Sequence, residues 1–243
     1  MSRQADRIPS GTSRLDDLLL GGLTPNTHLL VVGPPFTEKE MILYAFIAEG
    51  LRRGEPAVLI TAAQSPAEIE QKIGVLLPQF KEFVQRGKVL WIDASGPSAV
   101  PSRGAAALKG PSDHAGILSA LVAAVNKAES GGAKNVRVGF LGLSATLAHA
   151  DEKTGHVFVQ NLVGILKGRN ALVVYAVDRG AVSESQIQTI QGRVDGAIEV
   201  KTERGRSYLT VQGLGEVASR EWIEFRATGR GLVIGSFSLE RIR

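Results

Sequence analysis

The sequence contains no cysteine, and this absence excludes disulfides, thiolate metal sites and cysteine nucleophiles. It has no uninterrupted apolar run approaching about 18 residues, so no transmembrane helix is expected. The opening stretch MSRQADRIPS lacks the apolar centre of a signal peptide, and we therefore expect a cytoplasmic protein without membrane contact. Aromatic residues make up only 5% of the chain, which is a poor basis for stacking on single-stranded nucleic acid.

The composition is that of an ordinary soluble protein. The 243 residues suit one α/β domain. Hydrophobic residues contribute 44% and charged residues 21%, as is usual for globular chains. The net charge of +4 permits contact with nucleic acid but does not argue for it.

The segment LLVVGPPFTEKEM, from Leu29 to Met41, carries the main chemical signal. An apolar strand breaks at a Gly-Pro-Pro turn and leads into a helix, and two of its residues have the spacing of a phosphate-binding loop, G-x-x-x-x-G-K-[ST]. Glutamates replace the second glycine and the Ser/Thr of that motif. The candidate site is therefore an altered loop made of Gly33, Pro34, Pro35, Phe36, Thr37, Glu38, Lys39 and Glu40.

The two glutamates change what such a loop can hold. Glycines let the backbone N–H groups turn towards phosphates, while lysine neutralises them and the hydroxyl binds Mg²⁺. A carboxylate about 4 Å from a phosphate charge costs on the order of 4 kcal/mol, or about three decades of affinity. Glu38 and Glu40 are also expected to hold Lys39 in an exposed ion pair. ATP and ADP are therefore disfavoured as cofactors. The alternative is a plain strand-to-helix turn whose acidic residues are favoured by the helix dipole.

Alternating strands and helices predict an α/β fold with a mostly parallel sheet covered by helices. The strands are expected at 28–32, 57–61, 88–93, 136–141 and 171–177, and the helices at about 39–53, from 65, 117–127, 156–166 and 184–191. Four short strands then predict C-terminal antiparallel hairpins, at 197–200, 207–212, 221–225 and 231–235. We interpret residues 1–243 as one domain with a lead-in (7–27), a core (28–196) and a hairpin extension (197–243).

Several single residues receive structural interpretations. Ser13 is expected to cap a short helix, and Ser65 with Glu68 to form a capping box. Trp91 is expected in the core. Asp178 and Arg179 end a strand at the carboxyl edge of the sheet, where ligands bind in such folds, but they are interpreted as surface residues.

Two groups of polar residues are candidates for contact with a ligand. Residues 94–116, with Arg103, Lys109 and His114, predict a solvated loop rather than a contact loop. A second group matches no common metal-ligand pattern, so no metal is expected there; it consists of His149, Asp151 and His156.

The order of five segments resembles that of the KaiC-like branch of the RecA-type ATPases. The segments are RIPSGTSRLDDLLLGGL, GPPFTEKE, VLITAAQSPAEIEQKIG, GRVDGAIEV and REWIEFRATGRGLVI. In the second segment, the family carries Gly-Pro-Pro-Gly-Thr-Gly-Lys-Thr. The resemblance covers nearly the whole chain and implies a RecA-like fold.

The same resemblance argues against ATP hydrolysis. The Walker A glycine and threonine are Glu38 and Glu40. The Walker B aspartate, which orders the Mg²⁺ water, is Leu141, and the glutamate pair that includes the catalytic base is Ala63-Gln64. The Lys-x-Arg that reaches the γ-phosphate of the neighbouring subunit is Gln212-Gly213-Leu214.

Three functions are consistent with these observations. The first is a pseudo-ATPase, a RecA-like module that regulates or scaffolds through a protein partner or self-association. The second is a regulator that binds nucleotide weakly through Lys39 and the helix N-terminus. The third is a DNA-binding accessory protein using the loop with Arg103 and Lys109.

Overall fold

The structure is a computed structural model that describes residues 6–96, 106–229 and 231–237. The described residues form one ten-stranded sheet in the order β10-β9-β8-β7-β1-β6-β5-β2-β3-β4. Its strands are β1 His28–Gly33, β2 Ala57–Thr61, β3 Val89–Asp93, β4 Ala106–Ala107, β5 Val136–Leu141, β6 Ala171–Asp178, β7 Gly196–Glu203, β8 Arg206–Gly213, β9 Ile223–Thr228 and β10 Gly231–Ile234. From β7 to β4 neighbouring strands are parallel, and from β7 to β10 they are antiparallel. The predicted fold class is therefore confirmed.

Helices cover both faces of the parallel part of the sheet. They are α1 Ser13–Leu18, α2 Glu40–Arg52, α3 Pro66–Leu76, α4 Phe80–Gln85, α5 His114–Glu129, α6 Leu143–Ala148, α7 Glu152–Lys167 and α8 Glu184–Gln191. The first four share a hydrophobic cluster with one face, and the last four share a second cluster with the other. This arrangement explains why β1, β2 and β5 are buried at every position, since a parallel sheet must be covered on both sides. Among the described residues, no helix is both long and apolar enough to cross a bilayer.

The strand register places the candidate loop beside the end of β6. Gly33, the last residue of β1, lies opposite Asp178, the last residue of β6. Strand β7 approaches Gly33 from the other side, and a Cβ at that position would lie 2.7 Å from the Cβ of Val200. Gly33 is therefore required by strand packing, whatever the loop binds.

The structure corrects two predictions about segment ends. Thr12, not Ser13, is the N-cap of α1, and neither side chain caps the helix; Ser13 is its first residue. The predicted loop 94–116 contains ordered elements, because β4 pairs with β3 and Asp113 caps α5 by accepting from the N–H of Gly116 at 3.0 Å. His114 is thus a helical residue. Arg103 lies outside the described residues. The capping box of Ser65 and Glu68 is confirmed, and so is the burial of Trp91.

A buried ion pair joins the lead-in, α2 and β5. The Nε of Arg137 donates to Oε2 of Glu55 at 2.7 Å, and its Nη1 donates to the carbonyls of Pro9 and Phe46 at 2.9 and 3.0 Å. Arg137 has no exposed surface. Gly50 makes room for it, since a Cβ there would lie 2.6 Å from the Cδ of Arg137. Through the hydrogen bond to Pro9, Arg137 connects the lead-in segment to the core of the domain.

A buried histidine at the start of β1 predicts acid sensitivity. His28 has no exposed surface; its Nδ1 lies 3.0 Å from Oη of Tyr175, and its Nε2 has no partner among the described residues. Burial lowers the pKa of His28 from 6.5 to about 4, although Asp195 opposes the shift. Between pH 6.5 and about pH 4, His28 is therefore protonated in the unfolded chain but neutral in the folded chain. We expect the free energy of unfolding to be undiminished above pH 6.5 and to fall by about 3 kcal/mol by pH 4.

Urea denaturation of the wild type and of His28→Asn at pH 7 and pH 5 tests this expectation. Asparagine keeps a polar group near Tyr175 but does not titrate, so the variant should lose less stability on acidification than the wild type. Equal losses in the two proteins would contradict the assignment.

Candidate functional site

The loop between β1 and α2 carries large side chains at two positions with a left-handed backbone. Thr37 donates its hydroxyl to the carbonyl of Pro34 at 2.8 Å, which shapes the turn. Phe36 and Glu38 have φ of 62° and 55°, a left-handed conformation that favours glycine. These are the two positions at which the family segment Gly-Pro-Pro-Gly-Thr-Gly-Lys-Thr has its second and third glycines. Phe36 is 100% exposed and Glu38 is also exposed.

Lys39 is turned inwards, which corrects the prediction of an exposed ion pair. Only 1% of its surface is accessible. Its Nζ donates to Oδ1 of Asp178 at 2.5 Å, to Oε1 of Glu40 at 2.9 Å and to the carbonyl of Pro34 at 3.2 Å. Glu38 makes no ion pair among the described residues. An ammonium has three N–H donors, and here each of them has a protein acceptor.

Asp178 is a site residue, which corrects the prediction of a surface residue. One of its carboxylate oxygens binds Lys39, and the other accepts from the hydroxyl of Ser144 at 3.3 Å. The same hydroxyl accepts from the backbone N–H of Asp178. The available signal was its position, because the carboxyl ends of neighbouring parallel strands meet at one edge of a sheet. Arg179, next in sequence, pairs with Glu184 and Glu199.

Two further family positions lie at this same edge. The backbone N–H of Ala62 donates to the carbonyl of Leu141 at 3.0 Å, which joins the ends of β2 and β5. Leu141 is buried, whereas Ala63 is exposed. Gln64 is engaged elsewhere, because its side-chain oxygen accepts from Nζ of Lys72 at 2.9 Å. The residues that stand for the Walker B aspartate and the glutamate pair are therefore near each other but offer no free carboxylate.

The residues that stand for the Lys-x-Arg of the family lie at the amino ends of the parallel strands, away from the loop. Gln212 and Gly213 are the last two residues of β8, and Leu214 follows them; Gly213 pairs with Gly196, the first residue of β7. Gly196 in turn lies beside Leu29 near the start of β1. Within one chain, the fold therefore does not bring this turn to the loop.

The residues considered for a metal site have separate structural roles. Asp151 caps α7 by accepting from the N–H of Thr154 at 2.9 Å. His156 contacts Arg193, with 2.9 Å between Nε2 and Nη2, and His149 is exposed. Within residues 6–96, 106–229 and 231–237, no group of three or more His, Cys, Asp or Glu side chains could hold a metal ion.

The left-handed conformation of the loop predicts a gain in stability on mutation to glycine. Phe36→Gly and Glu38→Gly each remove a side chain that strains the backbone and loses little or no packing, because both are exposed. The relief of about 1–2 kcal/mol of strain is partly offset, because glycine raises the entropy of the unfolded chain. We therefore expect a net gain of about 0.5–1 kcal/mol per variant, measured by urea denaturation.

The matched control is Gln79→Gly at an exposed position with φ of −82°. No strain is relieved there, so this variant should be less stable than the wild type. A loss of stability in both loop variants comparable to that of the control would show that the loop backbone is unstrained.

The parallel sheet with helices on both faces, the antiparallel extension and the loop at the carboxyl edge together define a RecA-type P-loop fold. A family model described as the ATPase KaiC matches residues 8–220. The chain therefore belongs to the KaiC family.

Similar proteins agree with this assignment over nearly the whole chain. A UPF0273 protein of Aeropyrum pernix is 25% identical, over 98% of this chain and 96% of its own. The circadian clock oscillator protein KaiC of Thermostichus vulcanus is 24% identical over 94% of this chain but only 42% of its own, so this chain spans less than half of that protein. A solved KaiC-like protein of Pyrococcus horikoshii superposes with a TM-score of 0.77 at 20% identity, covering 96% of this chain and 100% of its own.

Proposed function

We propose that this chain is a non-catalytic KaiC-family module that regulates or scaffolds through protein contacts at the loop edge of its sheet. The single observation that carries the proposal is the burial of Lys39. Its three N–H donors already have acceptors in Pro34, Glu40 and Asp178. A phosphate would have to displace a charge-assisted hydrogen bond before it could gain one.

Local charge and sterics support the same proposal. The two carboxylates of Glu40 and Asp178 pair with the single ammonium of Lys39, and the carboxylate of Glu38, unpaired among the described residues, lies next to Lys39 in the sequence, so these four side chains together carry two net negative charges. A triphosphate brings further negative charge to this place. The side chains of Phe36 and Glu38 also occupy positions where a phosphate-binding backbone is bare.

The residues that would activate water or order Mg²⁺ are absent from their family positions. Leu141 is an apolar, buried side chain and cannot bind Mg²⁺. Ala63 cannot accept a proton, and Gln64 can orient a water molecule but is no base. At these family positions, the chain therefore offers no metal ligand and no base for hydrolysis, even if a nucleotide reached the loop.

Phosphate release from ATP by the purified full chain tests this function. We expect the wild type to release no more phosphate than Lys39→Met, which serves as the control for contaminating ATPases. Turnover at the level of an active family member that disappears in Lys39→Met would contradict the proposal.

Weak nucleotide binding without hydrolysis is the second candidate, because backbone N–H groups at the start of α2 need no particular side chain. In this function the loop would act as a nucleotide sensor. A thermal shift with millimolar ADP or ATP would support it. Of the two residues behind the DNA-binding hypothesis, Arg103 lies outside the described residues and Lys109 is merely exposed, so no observation among the described residues favours it.

A further inference from the structure

The loop between β1 and α2 carries a local excess of negative charge, although the net charge of the whole protein is +4. Glu38 is exposed and has no ion pair or side-chain hydrogen bond among the described residues. Within the described part of the chain, Glu40 uses only Oε1, in its bond to Lys39. The loop therefore offers carboxylate oxygens that its own cation does not use.

A buried hydroxyl, without a partner in the described part of the chain, lies one helical turn from Glu40. Tyr44 follows Glu40 by one helical turn, on the same side of α2. Its side chain is 2% exposed, and its hydroxyl has no partner among the described residues. Burial raises the pKa of Tyr44, and the charges of Glu40 and Glu68 add to this shift. A buried hydroxyl without a partner is costly, and a ligand that donates a hydrogen bond to the oxygen of Tyr44 removes part of that cost.

Phe36 adds an aromatic surface to the same place. It is the one large apolar side chain that the described residues leave 100% exposed, and it sits on a strained backbone. Strained residues cluster where a partner is bound. An exposed ring beside carboxylates suits a cation that is also planar, because a guanidinium stacks on aromatic rings and pairs bidentately with carboxylates.

We propose that Phe36, Glu38 and Glu40, here called the cation face, bind the guanidinium of an arginine presented by a partner protein. The inference rests on the proposed function and specifies its partner chemistry. Nucleic acid is disfavoured as the occupant, because its phosphates would meet unpaired carboxylates. In this protein a cation from outside takes the place that an anion takes in a phosphate-binding loop.

The test uses the ¹⁵N-labelled full chain and the blocked peptide Leu-Arg-Leu as the probe. We expect millimolar peptide to shift the amide signals of the loop and of the start of α2, and rising salt to weaken the effect. The peptide Leu-citrulline-Leu, which has the same shape but no charge, should bind at least about tenfold more weakly. Equal binding of the two peptides, or no shift with either, would overturn the proposal.

Two variants separate the cation face from a general charge effect. Glu38→Gln and Phe36→Ala change exposed side chains, so both variants should fold. Each should weaken the binding of Leu-Arg-Leu by roughly tenfold. Glu82→Gln changes an exposed acidic residue on α4 and should bind as the wild type does. Wild-type affinity in both loop variants would overturn the proposal.

Sedimentation of the same proteins identifies the source of the arginine. A wild-type dimer that Glu38→Gln dissociates would make a second copy the occupant and overturn the assignment to a different protein. If ATP and the peptide both fail to bind, the cation face is wrong while the proposed function stands. If ATP is bound and hydrolysed, the proposed function itself fails.

Discussion

Changing Phe36 and Glu38 to glycine and Glu40 to threonine is expected to raise the affinity for ATP by at least about a thousandfold. The variant has the family segment Gly-Pro-Pro-Gly-Thr-Gly-Lys-Thr. It removes two carboxylates from the phosphate position and frees one of the three N–H donors of Lys39. Titration calorimetry with Mg-ATP measures the gain.

Asp178→Asn, added to this variant, should increase affinity roughly tenfold more, because the remaining charged acceptor of Lys39 becomes neutral. The matched control is the same loop with Lys39→Met, which should lose most of the gain. Binding should return without turnover, since Leu141 and Ala63 are unchanged. A folded variant that binds no better than the wild type would show that the loop side chains are not what keeps nucleotide out.

The largest stability effect is expected at Glu55. Glu55→Ala leaves the guanidinium of Arg137 buried beneath Pro9 and Phe46 without its carboxylate, and we expect a loss of about 3–5 kcal/mol in the free energy of unfolding. Burial already lowers the pKa of Arg137, and Glu55 opposes that shift, so the pair depends on the carboxylate. Urea denaturation measures the loss.

Replacing both partners should be much less harmful than removing one. Glu55→Gln with Arg137→Met exchanges the pair for neutral side chains of similar volume, and such exchanges are often close to neutral. The control is Glu82→Ala, which breaks the exposed pair with Arg86 and should cost no more than about 0.5 kcal/mol. A cost for Glu55→Ala within about 1 kcal/mol of this control would contradict the buried-charge interpretation.

Local pattern was enough to predict most of the elements. Strands β2 and β5 and helix α8 have the expected bounds, because continuous apolar runs and a serine N-cap mark them in the sequence itself. Helix α6 was missed because LSATLA is short and follows β5 after a single residue, Gly142. The start of α5 was missed because Asp113 was not recognised as its cap.

The candidate site was only partly predictable. Its loop, the glycine replaced by Glu38 and the Ser/Thr replaced by Glu40 could be found by spacing alone. The bond between Lys39 and Asp178 joins residues 139 positions apart, and no local signal marks it. It depends on β1 and β6 lying side by side, which only the sheet order decides. The same holds for His28 and Tyr175, whose contact crosses the same two strands.

The most direct test of the central claim, that the loop's own carboxylates keep nucleotide away from Lys39, is titration calorimetry of the wild-type protein. ATP is titrated in Mg²⁺ and, separately, in EDTA, with the glycine and threonine variant as the positive control. We predict no heat of binding for the wild type in either buffer up to millimolar ATP. Micromolar binding that Lys39→Met abolishes would contradict the claim and make the protein a nucleotide sensor.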